Sequence, residues 1–104
     1  MRRFLLAALL LGACSHKTPE EQLIKDFDKA RSWSATVQFA GEKWHANSVP
    51  SSFMRSTIAA AEKEYDAAAK TIEESPARKE LRDQLRRELD AAREVAQRLK
   101  REVR

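Results

Sequence analysis

Apolar residues in this chain recur in alternating steps of four and three, in three separate runs. The first is Leu23, Phe27, Ala30, Ser34, Val37, Gly41 and Trp44, with Trp33 and Ala40 widening it on one side. The second is Met54, Ile58, Ala61, Tyr65, Ala68 and Ile72; the third is Leu81, Leu85, Leu89, Ala92, Ala96, Leu99 and Val103. Such spacing places every member on one face of an α-helix, whereas a strand turns its side chains over at every residue. With only two glycines and three prolines in 104 residues, the chain also lacks the turn residues that an all-β fold needs.

Prolines punctuate the runs. Thr18-Pro19-Glu20-Glu21 opens the first helix: Thr18 can cap, Pro19 suits the first helical position and Glu21 completes a capping box. Val49 is forced out of the α region by Pro50, which predicts a turn. Ser75-Pro76 reads as the cap and first position of a third helix. The segments 19–46, 50–74 and 76–103 each span ~36–42 Å at 1.5 Å per residue. Matched lengths and short connections predict an all-α, antiparallel, up-down-up three-helix bundle over residues 19–104. The alternative is a kinked two-helix hairpin whose second arm runs from 50 to 103 and bends at Pro76. Fourteen alanines among residues 14–104 require a thin core with closely spaced helices. Gly41, on the inner face of the first helix, is expected to let another backbone approach.

Residues 1–13 read as a leader and not as part of the fold. Arg2 and Arg3 precede an apolar run of eight, Phe4 to Leu11, which is too short to cross a bilayer and suits the core of a signal peptide. Leu11-Gly12-Ala13-Cys14 follows, and it resembles the lipobox of bacterial lipoproteins. The resemblance implies a cut between Ala13 and Cys14, a diacylglyceryl group on the Cys14 sulfur and acylation of its new amino group. It implies a lipid-anchored protein of the bacterial envelope. Ser15, in the place where an aspartate would hold such a protein at the inner membrane, implies the outer membrane facing the periplasm. A plain secretory signal cut at the same small residues is the alternative. Residues 14–18 are then a lipidated tether whose four steps reach at most ~14 Å. Loss of Arg2 and Arg3 lowers the formal charge of +4 by two.

The bundle also resembles small helical bacterial lipoproteins with a tryptophan-rich first helix and a Val-Pro turn. The matching residues are Trp33 to Val37, Trp44 and Val49 to Phe53; no activity comes with that pattern. Murein-linked lipoproteins end in a lysine coupled to the cell wall, whereas this chain ends Val103-Arg104, which argues against such a linkage.

No catalytic constellation is recognisable, and the expectation is a non-enzymatic protein with no cofactor and no metal. His16 and His45 are the only histidines, and neither has a partner at metal-ligand spacing. The pairs Glu20-Glu21 and Glu73-Glu74 point ~100° apart on a helix and cannot act as an acid/base pair. Trp33 and Trp44 fall toward the core, and a small-ligand pocket beside them is one alternative function. Another is an accessory subunit of an envelope complex. Phe39 falls opposite the stripe and is a candidate partner contact. Residues 76–104 carry ten bases and six acids, sorted so that a mostly basic flank follows the core stripe and a mostly acidic one precedes it. An up-down-up bundle brings the start of the third helix back to the anchored end, so Arg78, Arg82 and Arg86 are candidate contacts for an anionic lipid surface. Nucleic acid is not an expected partner of an exported protein. The function expected is therefore a structural or interaction module at the membrane surface.

Overall fold

A computed structural model describes residues 17–104, which contain three helices: α1 (Pro19–His45), α2 (Ser51–Glu74) and α3 (Lys79–Val103). All three pairs of helices pack together. The chain is an all-α, antiparallel three-helix bundle, and the hairpin with a continuous second arm is excluded because α3 folds back along both of its neighbours. Ala13 and Cys14 lie outside the described residues.

Helix α1 starts as its sequence dictates. The Thr18 hydroxyl accepts from the Glu21 N–H at 3.1 Å, and Pro19 occupies the first turn. It ends on Asn47, which adopts φ 59°. The Asn47 N–H donates to Trp44 O at 2.9 Å and the Ser48 N–H to Lys43 O at 2.8 Å. These crossed bonds close the last turn, and the left-handed residue they require is one that asparagine tolerates well. Pro50 then leads into α2, where the Trp44 indole N–H donates to Ser51 Oγ at 3.0 Å across the turn.

The third helix begins later than its sequence predicts. Ser75 is extended (ψ 136°) and closes α2, donating its N–H to Ile72 O. A residue before proline is disfavoured in the α region, which stops α2 there. The Ser75 hydroxyl accepts from the Ala77 N–H at 3.1 Å, so it caps a tight turn and not a helix. Residues 76–78 form the connection, Ala77 is buried, and α3 begins at Lys79.

The core is the union of the three stripes. Leu23, Phe27, Ala30, Val37 and Ala40 of α1 meet Met54, Ile58, Ala61, Tyr65, Ala68 and Ile72 of α2 and Leu85, Leu89, Ala96, Leu99 and Val103 of α3. Ser34, Leu81 and Ala92 are half-buried, as are Trp33 and Trp44. Gly41 admits a side chain and not a backbone: a Cβ there would lie 3.1 Å from Leu99 Cδ1. Alanines at the contacts bring the helix axes together, and the large residues fill the remaining space.

Ion pairs seat α3. Its basic flank faces α2, with Arg93 Nη2 3.0 Å from Asp66 Oδ1 and Lys100 Nζ 3.2 Å from Glu62 Oε1. Its acidic flank faces α1: Glu88 receives Arg31 at 2.8 and 3.0 Å, and Glu102 lies 3.5 Å from His45 Nε2. The two-pronged hydrogen bond holds the Arg31 pKa above and the Glu88 pKa below their ordinary values. Lys29 pairs with Glu64 at 3.5 Å between α1 and α2.

Candidate functional site

The first region of interest is the end of the bundle where residue 17 begins. There α1 starts, α2 ends and α3 starts, and the Arg78 N–H donates to Glu20 Oε2 at 3.0 Å, tying α3 to the first turn of α1. Glu20 thereby adds a second carboxylate to the one that Glu80 places in the first turn of α3, a helix whose cap residue makes no side-chain hydrogen bond of its own. Arg78, Arg82 and Arg86 are thereby brought to the half of the bundle nearest residue 17. Their surroundings are electrically mixed. Residues 17–30 and 64–87 hold nine bases and ten acids. The Arg82 guanidinium is spent on the chain itself, donating from Nε to Ala77 O at 3.0 Å, and Lys79 sits 3.9 Å from Asp83. Arg78 and Arg86 are exposed and make no ion pair among the described residues. The Lys17 ammonium is held below the ordinary lysine range, first by its contact with Lys25, while Glu21 and Asp26 act the other way. A groove of about 480 Å³ lies beside these groups, lined by Pro19, Gln22 and Leu23 on α1 and by Thr71, Glu74 and Pro76 on the returning chain. Its lining is as polar as it is apolar, which does not suit an acyl chain.

The second region is the tryptophan pair. Trp33 and Trp44 are half-buried against the core. The depression beside Trp44, about 340 Å³, is bounded by His45, Asn47 and Ser51 and not by Trp33. Trp44 has its polar edge satisfied by Ser51 and lies 5.1 Å from the His45 ring. Its role is to hold the α1–α2 turn.

Phe39 is 60% exposed, on the face of α1 turned from the core, with Lys43 Nζ 5.3 Å from its ring centroid. Among the described residues, no group of three His, Cys, Asp or Glu is placed to hold a metal ion, and no helix is long and apolar enough to cross a membrane.

One group escaped sequence reasoning. Tyr65 is 1% exposed and its hydroxyl has no hydrogen-bond partner among the described residues. Burial pushes its pKa up; Ser34 opposes this in part, being near enough to interact without hydrogen-bonding geometry. The helical period places Tyr65 in the core whether or not its hydroxyl is used, so the sequence carries no signal of the orphaned group. Comparisons with family models, with curated proteins and with solved structures find no match.

Proposed function

We propose that this chain is a lipid-anchored helical protein of the bacterial envelope, carried on Cys14 and acting without catalysis as a structural or interaction module at the membrane surface. The observation that carries this reading is the ordered leader: Arg2-Arg3, the apolar run from Phe4 to Leu11, then Leu11-Gly12-Ala13-Cys14. The Thr18 cap, four residues after Cys14, supports it by starting the folded body at once. A bundle on a tether of at most ~14 Å is held against the bilayer surface. Two or three acyl chains make that attachment effectively permanent, each buried CH₂ contributing ~0.8 kcal/mol. Ser15 favours the outer membrane, facing the periplasm. Contact of Arg78, Arg82 and Arg86 with anionic headgroups belongs to the same reading.

The test is Cys14→Ser in the full chain, expressed in a bacterium and partitioned into a detergent phase. The parent enters the detergent phase and incorporates labelled palmitate; the variant does neither. A Cys14→Ser protein that partitions as firmly as the parent rejects the lipid anchor.

A further inference from the structure

The end of the bundle opposite residue 17 has a different electrical character. Residues 38–60 and 93–104, where α1 closes, α2 opens and α3 closes, hold seven bases and three acids. Two of these bases, Arg93 and Lys100, are held by Asp66 and Glu62. The other five, Lys43, Arg55, Arg98, Arg101 and Arg104, are exposed and make no ion pair among the described residues. Helix carbonyl ends account for Lys43 and Arg101, which lie in the last turns of α1 and α3. They do not account for Arg55, which lies near the amino end of α2. That end has no acidic residue in its first turn and no side-chain cap, so its free amides add to the positive potential. Exposed apolar surface accompanies the charge: Phe53, two residues before Arg55, is 42% exposed, and Phe39 lies one turn before Lys43.

We propose that this end of the bundle is a contact surface for an anionic lipid bilayer. Arg55, Arg98, Arg101 and Arg104 meet the phosphate-bearing headgroups, and Phe53 enters the boundary between headgroup and acyl chain. Attraction of basic groups to such a surface accumulates with their number and falls off within a Debye length, so a cluster at one end orients the whole body. A nucleic acid is disfavoured by the same residues. The arginines crown the end of two helices and do not track a groove, and Phe39 already carries Lys43 over its ring, which leaves Phe53 alone where a nucleic-acid strand needs successive stacking rings. Helix α1 is ~40 Å long at 1.5 Å per residue. If Cys14 anchors the other end, the far end reaches the same bilayer only when the bundle lies along it. That orientation rests on the lipid-anchor reading; the contact itself does not.

The test uses residues 17–104, which contain every core residue named above and lack Cys14. They are sedimented with vesicles of mixed phosphatidylglycerol and phosphatidylcholine, and with vesicles of phosphatidylcholine alone. The expected result is salt-sensitive binding to the mixed vesicles, with Arg98→Glu/Arg101→Glu/Arg104→Glu losing at least about tenfold in partition. The Gln versions of the same three changes, with an unaltered circular dichroism spectrum, lose binding in the same direction. Phe53→Ser weakens vesicle binding while leaving binding to heparin, a soluble polyanion, unchanged. Equal binding to both vesicle types overturns the proposal, as does an unchanged triple variant. So does a larger loss on Arg78→Glu/Arg82→Glu/Arg86→Glu than on the far-end triple variant, which would place the main contact at the other end. Short duplex DNA that binds more tightly than the mixed vesicles would assign the surface to nucleic acid. Because Cys14 is absent throughout, none of these outcomes bears on the lipid anchor.

Discussion

Replacing Tyr65 by Phe removes one oxygen from the centre of the bundle and nothing else. The ring stays, so no cavity opens among Met54, Ile58, Ala61 and their neighbours. The lost hydroxyl has no hydrogen-bond partner among the described residues, whereas in the unfolded chain it is hydrogen-bonded to water. An unsatisfied buried polar group costs ~1–3 kcal/mol, and the proximity of Ser34 recovers part of that. Tyr65→Phe is therefore expected to stabilise the domain by about 1 kcal/mol. For a domain of this size that is a rise of roughly 4–8 °C in Tm. The pH dependence follows from the raised pKa. The folded state favours the neutral phenol, so its contribution is complete below the ordinary tyrosine pKa of 10.0 and is lost as the pH climbs above it. Wild-type stability should fall in that alkaline range, and the Phe variant should fall less. Urea and thermal unfolding of residues 17–104, followed by circular dichroism at neutral and alkaline pH, measures both effects. A Phe variant less stable than the parent by about 1 kcal/mol at neutral pH would refute the reasoning, because the hydroxyl would then be making a bond worth that much.

Two further perturbations probe the joints of the fold. Gly41→Ala gains ~1 kcal/mol of helix propensity but sets a methyl 3.1 Å from the buried Leu99 Cδ1. A net loss of about 1 kcal/mol is expected, and in urea titrations combination with Leu99→Val should cost less than the sum of the single changes; strict additivity would show that Leu99 does not read the extra methyl. Asn47→Ala places an ordinary residue at φ 59° and should cost about 1 kcal/mol, with Asn47→Gly at least as stable as the parent. Equal stability of the Ala and Gly variants would show that the left-handed turn is not constraining.

The apolar period made the core legible because burial of one helix face depends on spacing alone. Every member of the second stripe, from Met54 to Ile72, is buried. Ser34 lies well inside the first stripe and Trp44 in its last turn, yet each is only half-buried. The Ser75-Pro76 pair misled because a serine before proline signals either the start of one helix or the end of another. What settles it is the Glu20 carboxylate on the Arg78 N–H, 58 residues away in sequence. Asn47 is a residue type that ends helices, but its neighbours gave no period to mark the last turn. The two flanks of α3 could be read as basic and acidic, yet which helix each would meet depends on where α3 docks. The crowding of cations at the far end was invisible for the same reason. Lys43, Arg55 and Arg101 are scattered in sequence and converge only when three helices close at one end.

A helical hairpin offers two faces on which a third helix can lie, and the resulting bundles are topological mirror images. Apolar burial favours one of them, because Lys25, Asp26, Lys29 and Glu64 line the other groove beside Ala30, Ala67 and Ala68. The charges favour the same one. On the occupied face, Arg93 and Lys100 meet acids of α2 while Glu88 meets Arg31 of α1. Lys29 and Glu64 are each two residues, ~200°, from the positions that face α3, so they mark the empty face. Docked there, α3 would turn its basic flank to the helix that bears Lys29 and its acidic flank to the one that bears Glu64. Each exposed pair is worth only ~0.2–1 kcal/mol, but attraction on one face becomes repulsion on the other, so the pairs together open a gap of roughly a few kcal/mol. Surface charges that do little for the stability of the bundle thereby contribute to the choice of its handedness.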